Sequence, residues 1–209
     1  MLENLDIDDF GVTGSLSTMS AVLSTHPLIT SEEYLAGELV SEERHEFIAG
    51  VVHAMAGASA IHNTITHNLG GALYNHLRGK SCQPFGSDMK LRLNFGADTV
   101  FYYPDAMVVC DPTDDAIYFR ERPVLIIEVL SPETARVDQR EKLLAYRTLP
   151  SLEVYVLVDQ SQCRVTCYRR STGWTPEFLS GADEVIVVPA LAWSIPLREI
   201  YERTGLVVG

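Results

Sequence analysis

In ASAIHNTITHNLGGALYNHLRG, Ile61, Ile65, Leu69, Leu73 and Leu77 stand at every fourth position. That spacing predicts an amphipathic helix of about five turns, with Gly79 as its stop. Upstream, ITSEEYLAGELVSE offers Thr30 or Ser31 as an N-cap with Glu33 inside the first turn, which predicts a short helix. RHEFIAGVVHAMAG alternates around a glycine as a hairpin does, with Phe47, Val51 and His53 on related faces. Downstream the period shortens. SDMKLRLNF, YPDAMVVC, PVLIIEVLS, LEVYVLVD, RVTCYRR and EVIVVP all read as strands. DQREKLLAYRTL, between two of them, reads as helix through Leu143, Leu144 and Tyr146. The mixture predicts an α/β chain with a sheet core, without internal repeats. Residues 1 to about 25 hold acidic, Gly, Ser and Thr positions with no sustained period and read as a flexible leader. The remainder, 26–209, reads as one domain.

One position breaks the pattern. Glu128 stands inside PVLIIEVL, a run that otherwise reads as a buried strand. Burying an unpaired carboxylate costs several kcal/mol or forces it to take up a proton, so the site needs a cation, a hydrogen-bond cage or a catalytic use. Asp105 follows Pro104 at the start of AMVVC, and neighbouring strands can bring the two carboxylates to one end of a sheet. Two carboxylates side by side repel unless a cation sits between them, which suits Mg²⁺. After Glu128 comes SPETARVDQREKLLAY, where Ser131 and Thr134 can cap a helix. Asp138, Lys142 and Tyr146 then share one helical face. A lysine on that face can stabilise negative charge developing on a phosphate or a metal-bound water.

Composition narrows the classes. The 209 residues and 46% hydrophobic content suit an ordinary globular protein. No apolar run is long enough for a membrane span, and the acidic start lacks the features of a secretory signal, so a cytoplasmic protein is expected. The net charge of −12 argues against a general nucleic-acid binder, although divalent ions offset such charge locally. Basic residues do gather at Lys90 and Arg92, from Arg136 to Lys142, and from Arg164 to Arg170. Cys82 and Cys110 stand alone in the chain, while Cys163 and Cys167 are spaced to share a strand face as reduced structural thiols.

The segments YYPDAMVVCD and PVLIIEVLSPETARVDQREKLLAYRTLPSLEVYVLVD, with the upstream RHEFIAGVVHAMAG and His62, resemble the Uma-two family of endonucleases. That family is assigned to the PD-(D/E)XK restriction-endonuclease-like superfamily. The resemblance runs from about Pro27 and implies a restriction-endonuclease-like mixed β-sheet core flanked by helices. It also implies a metal-dependent endonuclease acting on DNA, with Asp105 and Glu128 as ligands of Mg²⁺ or Mn²⁺. Two residues after Glu128 the superfamily motif places a lysine, whereas this chain has Leu130. In this family a lysine displaced onto the next helix substitutes, which here is Lys142. Glu46 resembles the family's early acidic position and would add a third carboxylate. Members often pair so that two sites face two strands, so a homodimer is expected, with VIVVPAL as a contributor to its interface.

Other readings stay open on the same residues. Asp105 can be a turn residue receiving backbone N–H groups, and Glu128 can belong to a structural ion pair. Lys142 can pair with Asp138 on an exposed helix face. Two rival functions follow: a nuclease-like scaffold without catalysis that binds or assembles, and a hydrolase of a smaller phosphorylated molecule with an enclosed pocket. His62, near the start of its helix, is expected to be a neutral hydrogen-bonding group because the helix dipole disfavours its protonation. His67 and His76 fall off the apolar stripe and are expected in solvent, Tyr146 in packing, and Asp88 near the site as an outer partner.

Overall fold

Thr30 opens the first helix, α1 (Ser31–Glu38), by the reciprocal cap its sequence promised: its side chain accepts from the Glu33 N–H, and Glu33 returns a bond to the Thr30 N–H. A hairpin follows, β1 (His45–Ile48) and β2 (Val51–Ala54), whose two-residue turn puts Ala49 and Gly50 at positive φ. A Cβ at Gly50 would stand 3.0 Å from the Leu28 side chain, so this position needs glycine on two counts. Then comes α2 (Ala60–Leu77), capped by Ser59.

The chain continues through β3 (Gln83–Gly86), β4 (Lys90–Phe95), β5 (Asp98–Tyr102), β6 (Ala106–Val109), β7 (Phe119–Arg120) and β8 (Pro123–Leu130). A π-helical turn (Val137–Lys142) runs into α3 (Leu143–Tyr146), and β9 (Val154–Asp159), β10 (Arg164–Arg169) and β11 (Pro176–Ser180) follow. A small hairpin, β12 (Val185–Val188) and β13 (Trp193–Pro196), and α4 (Leu197–Ile200) complete the order. This computed structural model describes residues 28–55, 57–131 and 137–207, without the side chains of residues 137 and 138. The leader expected at residues 1 to about 25, the Thr134 cap, Arg136 and the Asp138 side chain lie outside the described residues.

Six strands form the central sheet in the order β11-β10-β9-β8-β6-β3, antiparallel except for the parallel β8–β9 pair. Ile65, Leu69, Leu73 and Leu77 of α2 press on one face, against Ala106, Val108, Leu125, Ile127, Val129 and the alternate valines of β9. Ile61, at the first turn, is left at the surface. A four-residue step overshoots a full helical turn, so the stripe drifts off the sheet at one end. The other face of the sheet takes Tyr146, Ala145 and Leu149, together with Leu91, Leu93, Val100 and Tyr102 from a second, five-stranded sheet, β2-β1-β5-β4-β7. The fold class is α/β, with mixed sheets flanked by helices.

Two sequence expectations, for Cys82 with Cys110 and for His76, are corrected. Cys82 and Cys110 do not stand alone but form a disulfide. The β3–β6 register pairs Gln83 with Val109, so the next pair outward is Cys82 with Cys110. Cys163 and Cys167 are free thiols that meet the same core, Cys167 buried in it. Burial pushes the Cys167 thiol up to about 12. His76 is partly buried and its Nε2 lies 2.9 Å from the Leu191 carbonyl. In VIVVPAL, Ile186, Val188 and Leu191 belong to the chain's own core, leaving Val185 and Val187 outward. Among the described residues no helix is long and apolar enough to cross a membrane.

Candidate active site

The β6–β8 register brings the two carboxylates together. Ala106 pairs with Ile127, so the next position outward sets Asp105 against Glu128. The contacts are reciprocal: the Asp105 N–H points at Glu128 Oε2 at 3.4 Å, and the Val129 N–H donates to Asp105 Oδ2 at 2.7 Å. Asp105 thus acts as both a backbone-receiving turn residue and a carboxylate beside Glu128.

Glu128 is 3% exposed and is held by hydrogen bonds to both of its oxygens. Its Oε1 accepts from Lys142 Nζ at 3.1 Å and from the Tyr146 hydroxyl at 2.9 Å. The helical spacing of Lys142 and Tyr146 read from the sequence therefore aims both at one oxygen, even though the first part of that segment is a π-helical turn. Burial, then the negative charge of Glu128, holds the Tyr146 hydroxyl well above its ordinary pKa, so it remains a donor at any physiological pH. Tyr146 is a packing residue as expected, but its one polar atom also serves the site. Leu130, at the position where the superfamily motif has lysine, packs beside the same core.

Lys142 has a second anionic partner, Glu46 of β1, with Nζ to Oε1 at 3.0 Å, and its ammonium lies 5.2 Å from the centre of the Tyr102 ring. Buried at 6% exposure, it links the two sheets by bridging the carboxylate of each. Glu46 thus joins the cluster through the lysine. Opposite, His62 Nε2 lies 3.2 Å from Asp105 Oδ2. The Ser59 cap explains its placement, since that hydroxyl accepts the His62 N–H and fixes the first turn of α2 beside the strand end. Asp105, Glu128, Lys142, Glu46, His62 and Tyr146 are therefore gathered at one place. Asp88 is not among them: it pairs with Arg44 at the surface.

Sequence reading missed an adjoining network. The buried Glu38 carboxylate accepts from the Tyr103 hydroxyl at 2.6 Å and lies 2.8 Å from His45 Nδ1. Lys90 is 7% exposed, with its ammonium over the Tyr103 ring, and desolvation lowers its pKa. The network flanks the site through His45, next to Glu46, and Tyr103, close to Asp105. Glu38 sits near the end of a mostly polar helix, where nothing in the sequence marks it as buried.

The donor set is oxygen. Among the described residues no group of three or more His, Cys, Asp or Glu is arranged to hold a metal, and Asp105 and Glu128 are neighbouring carboxylates that could hold one. Such a pair fits Mg²⁺, which takes one or two protein carboxylates and keeps waters in its other positions, better than zinc, which takes three or four side chains. Much of the basic surface anticipated from sequence is engaged: Arg92 lies 3.7 Å from Glu121, Arg169 pairs with Glu177, and Arg170 donates to the carbonyls of Leu149 and Leu152.

Comparison with known proteins adds four findings. A family model described as "Uma2: Putative restriction endonuclease" matches residues 31–198. "Uncharacterized protein sll1609" of Synechocystis sp. (strain ATCC 27184 / PCC 6803 / Kazusa) is 38% identical over 152 residues, covering 71% of this chain and 85% of that protein. "Uncharacterized protein slr1290" of the same strain is 35% identical over 147 residues, covering 69% and 76%. The crystal structure of "a putative nuclease belonging to DUF820" from Anabaena variabilis ATCC 29413 superposes with a TM-score of 0.68 at 17% identity, covering 84% of this chain and 99% of that one. At that identity the likeness is one of fold.

Proposed function

The chain belongs to the Uma2 family of restriction-endonuclease-like proteins, and from that premise we propose that it is a metal-dependent endonuclease hydrolysing DNA phosphodiester bonds. The observation that carries this reading is the ammonium of Lys142, arriving from a helix to lie 3.1 Å from Glu128 while Asp105 stands opposite. A carboxylate pair with an adjacent buried cation is the equipment for attack on a phosphate. Asp105 and Glu128 would hold Mg²⁺ or Mn²⁺, which would supply Lewis acidity and a more acidic water.

The side chains do the remaining work. Lys142 offers fixed positive charge where the pentavalent phosphate gathers negative charge. Tyr146 and the Asp105 N–H orient the two oxygens of Glu128, and His62 with the Val129 N–H orients Asp105. The net charge of −12 makes DNA binding weak, and the divalent ion offsets part of that charge at the scissile phosphate. A cytoplasmic homodimer presenting one site to each strand belongs to the same reading, as does a single domain over residues 26–209.

Calorimetric titration of Mn²⁺ at low salt and neutral pH, into the wild type and Glu128→Ala, is the test. Stoichiometric binding that the variant loses, with DNA cleavage lost in Lys142→Ala, is expected. Binding that Glu128→Ala retains, or cleavage that Lys142→Ala retains, overturns the reading. The outcome then favours the scaffold without catalysis, which Leu130 at the motif's lysine position already admits.

A further inference from the structure

Strand register extends the site sideways across the central sheet. Glu128 pairs with Leu157, Leu157 with Thr166, and Thr166 with Phe178. Paired positions on neighbouring strands share a face, so these four residues form one row, and Phe178 lies three strand spacings, about 14 Å, from Glu128. On this face, over Leu130 and Leu157, a cavity of about 310 Å³ opens between the sheet and the helical turn Val137–Lys142. Gln139 supplies the helix wall, and Thr166, Tyr168 and Phe178 supply the sheet wall. Phe178 is 70% exposed on the edge strand, its ring part of the lining. Tyr168 is held in place by stacking on Tyr155 at 6.1 Å.

The lining selects the kind of occupant. Among the described residues it carries one acid, Asp159, and one base, Arg164, which leave no net charge to attract a free phosphate. Asp159 is anchored by Ser161 and Gln162, which keeps a carboxylate at the rim. Two aromatic rings beside an amide, a hydroxyl and a carboxylate suit a neutral planar heterocycle bearing donors and acceptors at its edge. We propose that this cavity receives an unpaired base of the DNA strand whose phosphate sits at Asp105 and Glu128. The preferred substrate is therefore single-stranded DNA, or DNA with a single-stranded branch, because a paired base cannot leave its stack to reach Phe178 without the cost of unpairing. The same helical turn carries Gln139 into the cavity wall and Lys142 to Glu128, so a seated base bears on the element that positions the cation. This inference rests on the nuclease reading for its phosphate, and on the cavity alone for its base.

The probes are a short fluorescein-labelled single strand and the blunt duplex of the same sequence, each titrated at low salt in EDTA so that nothing is cut. The wild type is expected to favour the single strand, and Phe178→Ala to lose about 5- to 140-fold of that affinity. This range is the ~1–3 kcal/mol of a base stacked on an aromatic ring, at ~1.4 kcal/mol per tenfold. Duplex binding is expected to stay unchanged. Phe178→Trp, placed in the Glu128→Gln background, reports directly: its indole fluorescence is quenched by the unlabelled single strand and not by the duplex. Equal binding of both probes by the wild type, equal losses in Phe178→Ala, or an indole in Phe178→Trp that the single strand leaves unquenched overturns the proposal. Should cleavage prove independent of Glu128 while the quenching persists, the nuclease reading fails and the base cavity stands.

Discussion

Replacing Lys142 by Met tests whether the buried cation holds the site together. The ammonium lies 3.0 Å from Glu46 and 3.1 Å from Glu128, with side chains that are 7%, 17% and 4% exposed. At an effective dielectric constant of about 20, each pair contributes roughly 5 kcal/mol of gross attraction, against a desolvation cost of several kcal/mol for the ammonium. Methionine fills similar volume but leaves two carboxylates facing one another without a cation. The expected loss is about 3–5 kcal/mol, the usual result of removing one partner from a buried pair. For a chain of this length that corresponds to a fall of about 6 to 20 °C in Tm.

The sign with pH is fixed as well. In the variant, the stranded Glu128 has a folded-state pKa above its unfolded value, so it costs nothing below about pH 4 and its cost grows as pH rises. Denaturant midpoints of wild type and variant should therefore lie far apart at pH 7 and converge toward pH 5. Adding Glu128→Gln to the variant should recover much of the loss, because the buried charge is then removed. A Lys142→Met protein within about 1 kcal/mol of wild type at pH 7, with no convergence in acid, would mean that the cluster is hydrated and that the reasoning is wrong.

Tyr146→Phe removes one donor to a buried carboxylate while keeping the ring; a loss of about 1.5–3 kcal/mol in urea unfolding is expected, and an unchanged midpoint would show that Glu128 does not depend on it. Leu73→Ala, at the centre of the α2 stripe and 0% exposed, should cost about 2–5 kcal/mol, whereas Ile61→Ala at the surface should cost under about 1. The Cys82–Cys110 bridge spans 28 residues and contributes about 3–4 kcal/mol by loop entropy; titration of four free thiols in the unfolded, unreduced protein would refute it. Burial raises Tyr102 from 10.0 to about 12 and Cys167 from 9.0 to about 12. Both favour the neutral folded form, so their contribution is full below about pH 9 and falls as pH climbs toward 12. Lys90, lowered by burial, opposes this as a single group, so unfolding midpoints should decline between pH 9 and 11, and a rise would contradict the assignment.

By itself the sequence determined whatever depends on local periodicity and on a single conspicuous exception. Four-residue spacing was enough for α2, short apolar or alternating runs for β4, β6, β8, β9, β10 and β12, and the Thr30 and Glu33 pairing for the start of α1. Glu128 stood out because an acid among branched apolar residues has few inexpensive explanations, and the helical spacing of Lys142 and Tyr146 aimed both toward it. β3, β5, β11 and β13 were not read from the sequence; their places are set by the neighbours they pair with. Register was likewise a matter for the tertiary structure. It set Asp105 beside Glu128, paired Cys82 with Cys110 and ran a row from Glu128 to Phe178, all between residues distant in the chain. The burial of the Glu38 side chain and of Lys90, and the bridge from Lys142 to Glu46, arise where elements distant in the chain meet. A charge's partner is chosen by three-dimensional proximity and by the loss of water around it, and neither quantity is written in the order of residues along one strand or helix.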